Sequence, residues 1–204
     1  MSHPPAIYAS RHLPWRRLAA GLIDGLCIGA WVAIVAAAGV TIYLLSGANG
    51  RFNEVQENLL ALVVTIAPVT VGITLTESRE GASLGKRVVG IRMREVDGGT
   101  PTFASLLGRN ALKLGVPWTI AHAAVFGLFD SAAKDPPATW VLILLILAYA
   151  LPVFYVASLF ISRGRTPYDR LSNIVVEQSV LTTGHRGSRR EGATVDQRRL
   201  FPEE

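Results

Sequence analysis

"RRLAAGLIDGLCIGAWV" (Arg16–Val32) decides the fold. Two arginines lead into an apolar run that continues to Leu45 and holds a single charge, Asp24. A helix crosses a bilayer with about 17–25 apolar residues. The run from Leu18 to Leu45 is longer, so it can tilt or protrude. A cleaved signal peptide is the competing reading, with "VAAAG" (Val35–Gly39) offering small residues for cleavage. The apolar part of a signal spans only about 7–15 residues, however, and this run far exceeds that.

Working outward, half of the 204 residues are apolar and mean hydropathy is +0.36, as expected of a membrane chain. Three further runs qualify as spans: Leu59–Thr76, Ala111–Phe129 and Thr139–Ile161. The third span of the four carries Lys113 near its start and His122 near its middle, and the second and fourth carry no charge. Pro68, Pro117 and Pro152 fall inside spans, where each removes a backbone hydrogen bond. Cys27 is the lone cysteine; with no disulfide partner and no metal-ligand spacing around it, it reads as a small apolar packing residue.

The basic residues assign an orientation. The net charge is +5, with arginine outnumbering lysine 17 to 3. The segment before span 1, the loop from Glu77 to Asn110, Lys113 and the segment after span 4 together hold 18 of the 20 basic residues. The other two connections hold only Arg51 and Lys134. Basic loops stay cytoplasmic, so four spans with both termini inside satisfy every loop, whereas three spans would export eight C-terminal arginines. Basic residues that flank apolar runs speak for lipid and against nucleic acid.

The loop between spans 2 and 3 carries most of the remaining pattern. "RVVGIRMRE" (Arg87–Glu95) is β-branched and partly alternating, which predicts a strand. "DGGTP" follows as a turn, and Thr102 is placed to cap a helix containing Phe103, Leu106 and Leu107. That helix is expected to lie along the interface and bend into span 3 near Pro117. A second strand is expected at Asn173–Val180. Pairing Arg87–Arg94 with Ile174–Val180 would satisfy both backbones, the alternative being two irregular loops. Thr182–Glu204 is polar and expected to be a disordered basic tail. "GASLGKR" is one residue short of a P-loop and places Arg87 where a magnesium-binding hydroxyl belongs. No nucleophile–base pair, zinc spacing or dinucleotide fingerprint appears, so no enzyme, metal or cofactor is expected.

"RRLAAGLIDG", "GASLGKRVVGIRMREVDGGTPTFASLLGRNALK" and "YDRLSNIVVEQ" together resemble the RDD family of small multi-pass bacterial membrane proteins, named for an arginine and two aspartates. The resemblance assigns those residues as Arg17, Asp24 and Asp169, and aligns a middle motif on Gly81, Ser83, Leu84, Gly85, Lys86 and Arg87. Tyr168 stands where the family often has a histidine, so a proton-handling role for that histidine does not transfer. The resemblance implies a bacterial inner-membrane location. Some members are reported as monovalent cation/proton antiporters, which makes transport one implied activity.

The expected fold is an all-α integral membrane protein: a four-helix transmembrane bundle with a small cytoplasmic β-hairpin-like cap. Residues 1–15 form a cytoplasmic segment, 16–181 an RDD-like transmembrane domain and 182–204 the tail. Asp24 lies two helical turns beyond Arg17, on nearly the same face. It is beside Gly21, Gly25 and Gly29, whose spacing suits close packing of another helix. Two readings stay open. Asp24 is either an ion- and proton-coupling carboxylate, with His122 as relay, or half of a buried ion pair with Arg17, Arg109 or Lys113. Asp169 reads as a surface salt bridge tying the segment after span 4 to Lys86 and Arg87. His122 otherwise hydrogen-bonds a neighbouring helix. The first function expected is a small homo-oligomeric exchanger of monovalent cations for protons, using the glycine seam. The alternative is a membrane accessory or scaffold protein docking a cytoplasmic partner or anionic lipid.

Overall fold

The computed structural model describes residues 13–46, 53–131, 137–161 and 165–179. The expected tail at 182–204, and most of the N-terminal segment 1–15, lie outside the described residues. The fold is a four-helix transmembrane bundle with a two-stranded antiparallel sheet, and its four long apolar helices match the four expected spans.

Span 1 is α1 (Pro14–Ser46), about 50 Å long at 1.5 Å per residue. Its buried residues, Pro14, Ala20 and Asp24, all sit in its first third. The outer part shows Ile42, Leu44 and Leu45 to the surroundings, as a helix in hydrocarbon does. Span 2 begins with α2 (Glu54–Ala61), closed by a capping box in which Asn53 Oδ1 accepts from the Gln56 amide at 3.0 Å. A π-helical turn (Leu62–Ile66) leads into α3 (Ala67–Glu80). Span 3 repeats the arrangement: α5 (Phe103–Asn110), a π turn (Ala111–Gly115) and α6 (Val116–Ser131). Each π turn ends two residues before a proline, Pro68 or Pro117, where the missing N–H disturbs the hydrogen-bond ladder. Span 4 is α7 (Thr139–Ile161), with Pro152 inside it. It packs along α6, where a Cβ on Gly127 would come within 2.5 Å of Trp140.

Between spans 2 and 3 the chain forms a short helix, α4 (Leu84–Val88), and then β1 (Ile91–Glu95). The expected strand from Arg87 therefore starts late. Lys86, Arg87 and Val88 complete a helical turn, and Gly90, at φ +69°, redirects the chain before the strand. Thr102 caps α5 as expected, accepting from the Ser105 amide at 3.2 Å. α5 runs through the π turn into α6 as one helical stretch, Phe103–Phe129.

After span 4, α8 (Pro167–Leu171) leads to β2 (Ile174–Gln178), slightly shorter than the strand expected there. β1 and β2 pair antiparallel, with Ile91 opposite Gln178 and Glu95 opposite Ile174. They pair as hairpin strands do, although spans 3 and 4 connect them in place of a turn. Alternation turns Ile91, Met93, Ile174 and Val176 onto Ala20 and Leu106, forming one apolar cluster. On the outer face Arg92 and Arg94 both reach Glu177, at 2.8 and 2.7 Å. The sheet thus seals one end of the bundle, next to the start of α1.

Candidate functional site

At that end ionisable residues from spans 1, 2 and 3, the connecting loop and α8 converge. Three buried carboxylates organise them: Asp24 from α1, Glu77 from α3 and Asp169 from α8.

Asp24 closes α4. Gly81 ends α3 in the left-handed conformation at φ +70°, which lets the chain turn back toward α1. Ser83 then occupies the N-cap of α4 with extended backbone, and its own side chain does not cap the helix. The carboxylate of Asp24 does so instead, accepting from Ser83 Oγ at 2.6 Å and from the Gly85 amide at 2.8 Å. An anion at a helix N-terminus is favourable, and two donors offset much of its desolvation. Among the described residues no basic nitrogen lies within ion-pair distance of Asp24, so the expected pair with Arg17, Arg109 or Lys113 is not formed.

Glu77 binds Lys86 in a buried ion pair and accepts from Asn110 Nδ2 at 2.7 Å. Asn110 also donates to Thr74 Oγ1 at 3.1 Å, which locks span 2 to span 3. Arg109 Nη1 stands 3.9 Å from Glu77. Burial pushes the Lys86 ammonium down to about 8, against the opposing pull of Glu77. Arg87, on the exposed side of α4, pairs with Glu80. Leu84 is half exposed.

Asp169 gathers the rest. It pairs with Arg17 of α1, accepts from Arg109 Nε at 2.8 Å and from the Thr166 amide at 3.2 Å. Burial alone would push its carboxyl up, but the two guanidinium groups hold it well below the usual carboxylate range. Tyr168 lies under Arg109, with the guanidinium carbon 5.3 Å from the ring centroid. Tyr155 meets Tyr168 edge-on at 5.1 Å and donates its hydroxyl to the Leu112 carbonyl at 3.1 Å. The partners of Asp169 thus differ from those expected: it ties α8 to spans 1 and 3, while Lys86 and Arg87 bind other carboxylates.

Two other expectations change. Gly21, Gly25 and Gly29 have open space where a Cβ would stand, so among the described residues they pack against no helix. The close approach on α1 is made by Gly85 of the loop, where a Cβ would collide with the Ala20 carbonyl oxygen. His122 is stacked between Trp118 and Phe126, at centroid distances of 6.1 and 5.6 Å, and its buried Nε2 has no hydrogen-bond partner. Among the described residues that nitrogen bonds neither Asp24 nor a neighbouring helix. Sequence reasoning missed Glu77 and Asn110. Their signals were an acid closing an otherwise uncharged span and an Arg-Asn pair opening the next.

Two cavities flank α1 at this level. One, of about 370 Å³, lies toward the π turn of span 3 and α7 and is bordered by Arg17, Asp24, Lys86, Arg109 and Lys113 together with apolar side chains. The other, of about 380 Å³, lies toward α3 and is bordered by Asp24, Trp31, Gly72 and Ser83. Among the described residues no three His, Cys, Asp or Glu side chains form a metal-binding group.

The family model described as the RDD family matches residues 11–173. Neither a curated protein nor a solved structure matches the chain.

Proposed function

The chain belongs to the RDD family of membrane proteins, and on that premise we propose that it is a membrane accessory or scaffold protein that docks an anionic lipid or a protein partner at its charged end. The observation that carries this reading is how Asp24 is used. Its carboxylate is committed to Ser83 and Gly85, and the adjoining cavity is bordered by four cations. Of the charged side chains that border it, only Asp24 would attract a cation. The distribution of arginine and lysine supports a bacterial inner-membrane protein with both termini, and hence the sheet, in the cytoplasm. The exposed glycines of α1 support self-association through that helix, and no chemistry beyond binding is assigned.

Cation/proton exchange is the second reading. It is favoured by the position of Asp24 between cavities on both sides of α1. Proteoliposomes under a pH gradient, given Na⁺, K⁺ or Li⁺ in turn, separate the two. The accessory reading expects no saturable ion-driven proton movement. Saturable exchange that disappears in a folded Asp24→Asn variant would overturn it and make Asp24 the coupling site.

A further inference from the structure

We propose that the cavity between α1, the π turn of span 3 and α7 is a binding site for a phosphate group, supplied by an anionic phospholipid, with Lys113 as its counter-charge. Seven ionisable side chains meet at this junction: Arg17, Lys86, Arg109 and Lys113 against Asp24, Glu77 and Asp169. Each carboxylate is already engaged, Asp24 by Ser83 and Gly85, Glu77 by Lys86 and Asn110, and Asp169 by Arg17 and Arg109. Lys113 is left over. Among the described residues it has no hydrogen-bond or ion-pair partner, yet it borders the cavity within span 3. It lies one turn beyond Arg109, about 6 Å further along the helix.

An ammonium at this depth that makes no direct ion pair is costly, and the four cations exceed the three carboxylates by one. A single anionic group in the cavity balances that excess. The rest of the lining selects the carrier of the anion. Leu22, Leu114, Pro152 and Val156 provide an apolar wall beside the charged end. A cationic end continuous with an apolar wall matches a phosphate carrying acyl chains better than a fully solvated anion. This inference deepens the accessory reading and rests on it for its biological use. The binding itself is measurable whether or not the protein exchanges ions.

The test uses the full chain in nanodiscs. Thermal unfolding is compared between phosphatidylcholine alone and phosphatidylcholine with phosphatidylglycerol, and separately with glycerol phosphate added to phosphatidylcholine discs. The expected result is a rise in Tm of about 4 °C or more with phosphatidylglycerol, lost in Lys113→Gln and kept in Lys113→Arg. A Lys113-dependent rise with glycerol phosphate as well would keep the phosphate site and assign its source to soluble phosphate esters. An equal rise in Lys113→Gln, or none in wild type, would overturn the site. Should Lys113→Gln fail to fold, Val156→Trp fills the apolar wall at a residue that is 44% exposed. It must abolish the response, and a retained response overturns the proposal. Exchange activity in the proteoliposome assay would sink the accessory reading and leave this result untouched.

Discussion

The carboxylate of Asp24 accepts a hydrogen bond from the backbone nitrogen of Gly85 at 2.8 Å, 61 residues along the chain. A residue of the first span thereby supplies the cap of a helix formed after the second. This relationship accounts for a charge in an apolar run without invoking transport.

Substitution of Asp24 should follow hydrogen-bonding capacity more than charge. Asn keeps an acceptor for the Gly85 amide and should cost about 1 kcal/mol. Ala leaves that amide and the Ser83 hydroxyl without a partner and should cost about 1–3 kcal/mol. Thermal melts of both variants in one detergent check the order. An Asn variant as unstable as the Ala variant would mean that the negative charge itself is required.

Gly85→Ala should be more damaging than any single alanine at Gly21, Gly25 or Gly29. The new methyl would meet the Ala20 carbonyl, and backbone yields less readily than a side chain. Overpacking of this kind costs about 1–3 kcal/mol. The three α1 glycines have open space and should tolerate alanine in the monomer. Melting temperatures of the four variants decide the comparison.

Asp169 should set part of the acid limit of stability. Its carboxyl titrates below the ordinary value of 3.8 in the folded chain. Its contribution is therefore present above about pH 4 and lost as pH falls through the lower folded value. Asp169→Asn should cost about 3–5 kcal/mol at neutral pH, since it removes the buried carboxylate that Arg17 and Arg109 share. The gap between variant and wild type should narrow as pH falls below 4, which melts across a pH series would show.

Breaking the Glu77–Lys86 pair on one side should be worse than removing both charges. Glu77→Gln leaves a buried ammonium and should cost about 3–5 kcal/mol. Adding Lys86→Met should recover most of that loss, because an apolar side chain of similar length needs no counter-ion. A double variant no better than the single one would show that Lys86 is needed by groups other than Glu77.

The spans were legible because hydrocarbon imposes a simple length rule, and the basic loops separated one from the next. The antiparallel sheet was legible from β-branched alternation in two segments, apart from the two or more residues at its edges. Arg17, Asp24 and Asp169 were found as residues that matter, but their partners were not. Arg17 and Asp169 are 152 residues apart, and nothing local distinguishes a carboxylate that meets arginine from one that caps a helix. Glu77 and Asn110 escaped for the same reason, each being ordinary until the other is in place. The glycine spacing on α1 said that a backbone can be approached and not what approaches it, and among the described residues no side chain does.

The long connection between the paired strands has a consequence for synthesis. Arg92 and its partner Glu177 are 85 residues apart, and both remaining spans lie between them. At about 5–20 residues per second, β1 leaves the ribosome roughly 4–17 s before β2. During that interval its hydrogen-bonding edge awaits a partner, and Ile91 and Met93 lack the strand that later completes their cover. Closure of the sheet therefore waits until the third and fourth helices have been synthesised.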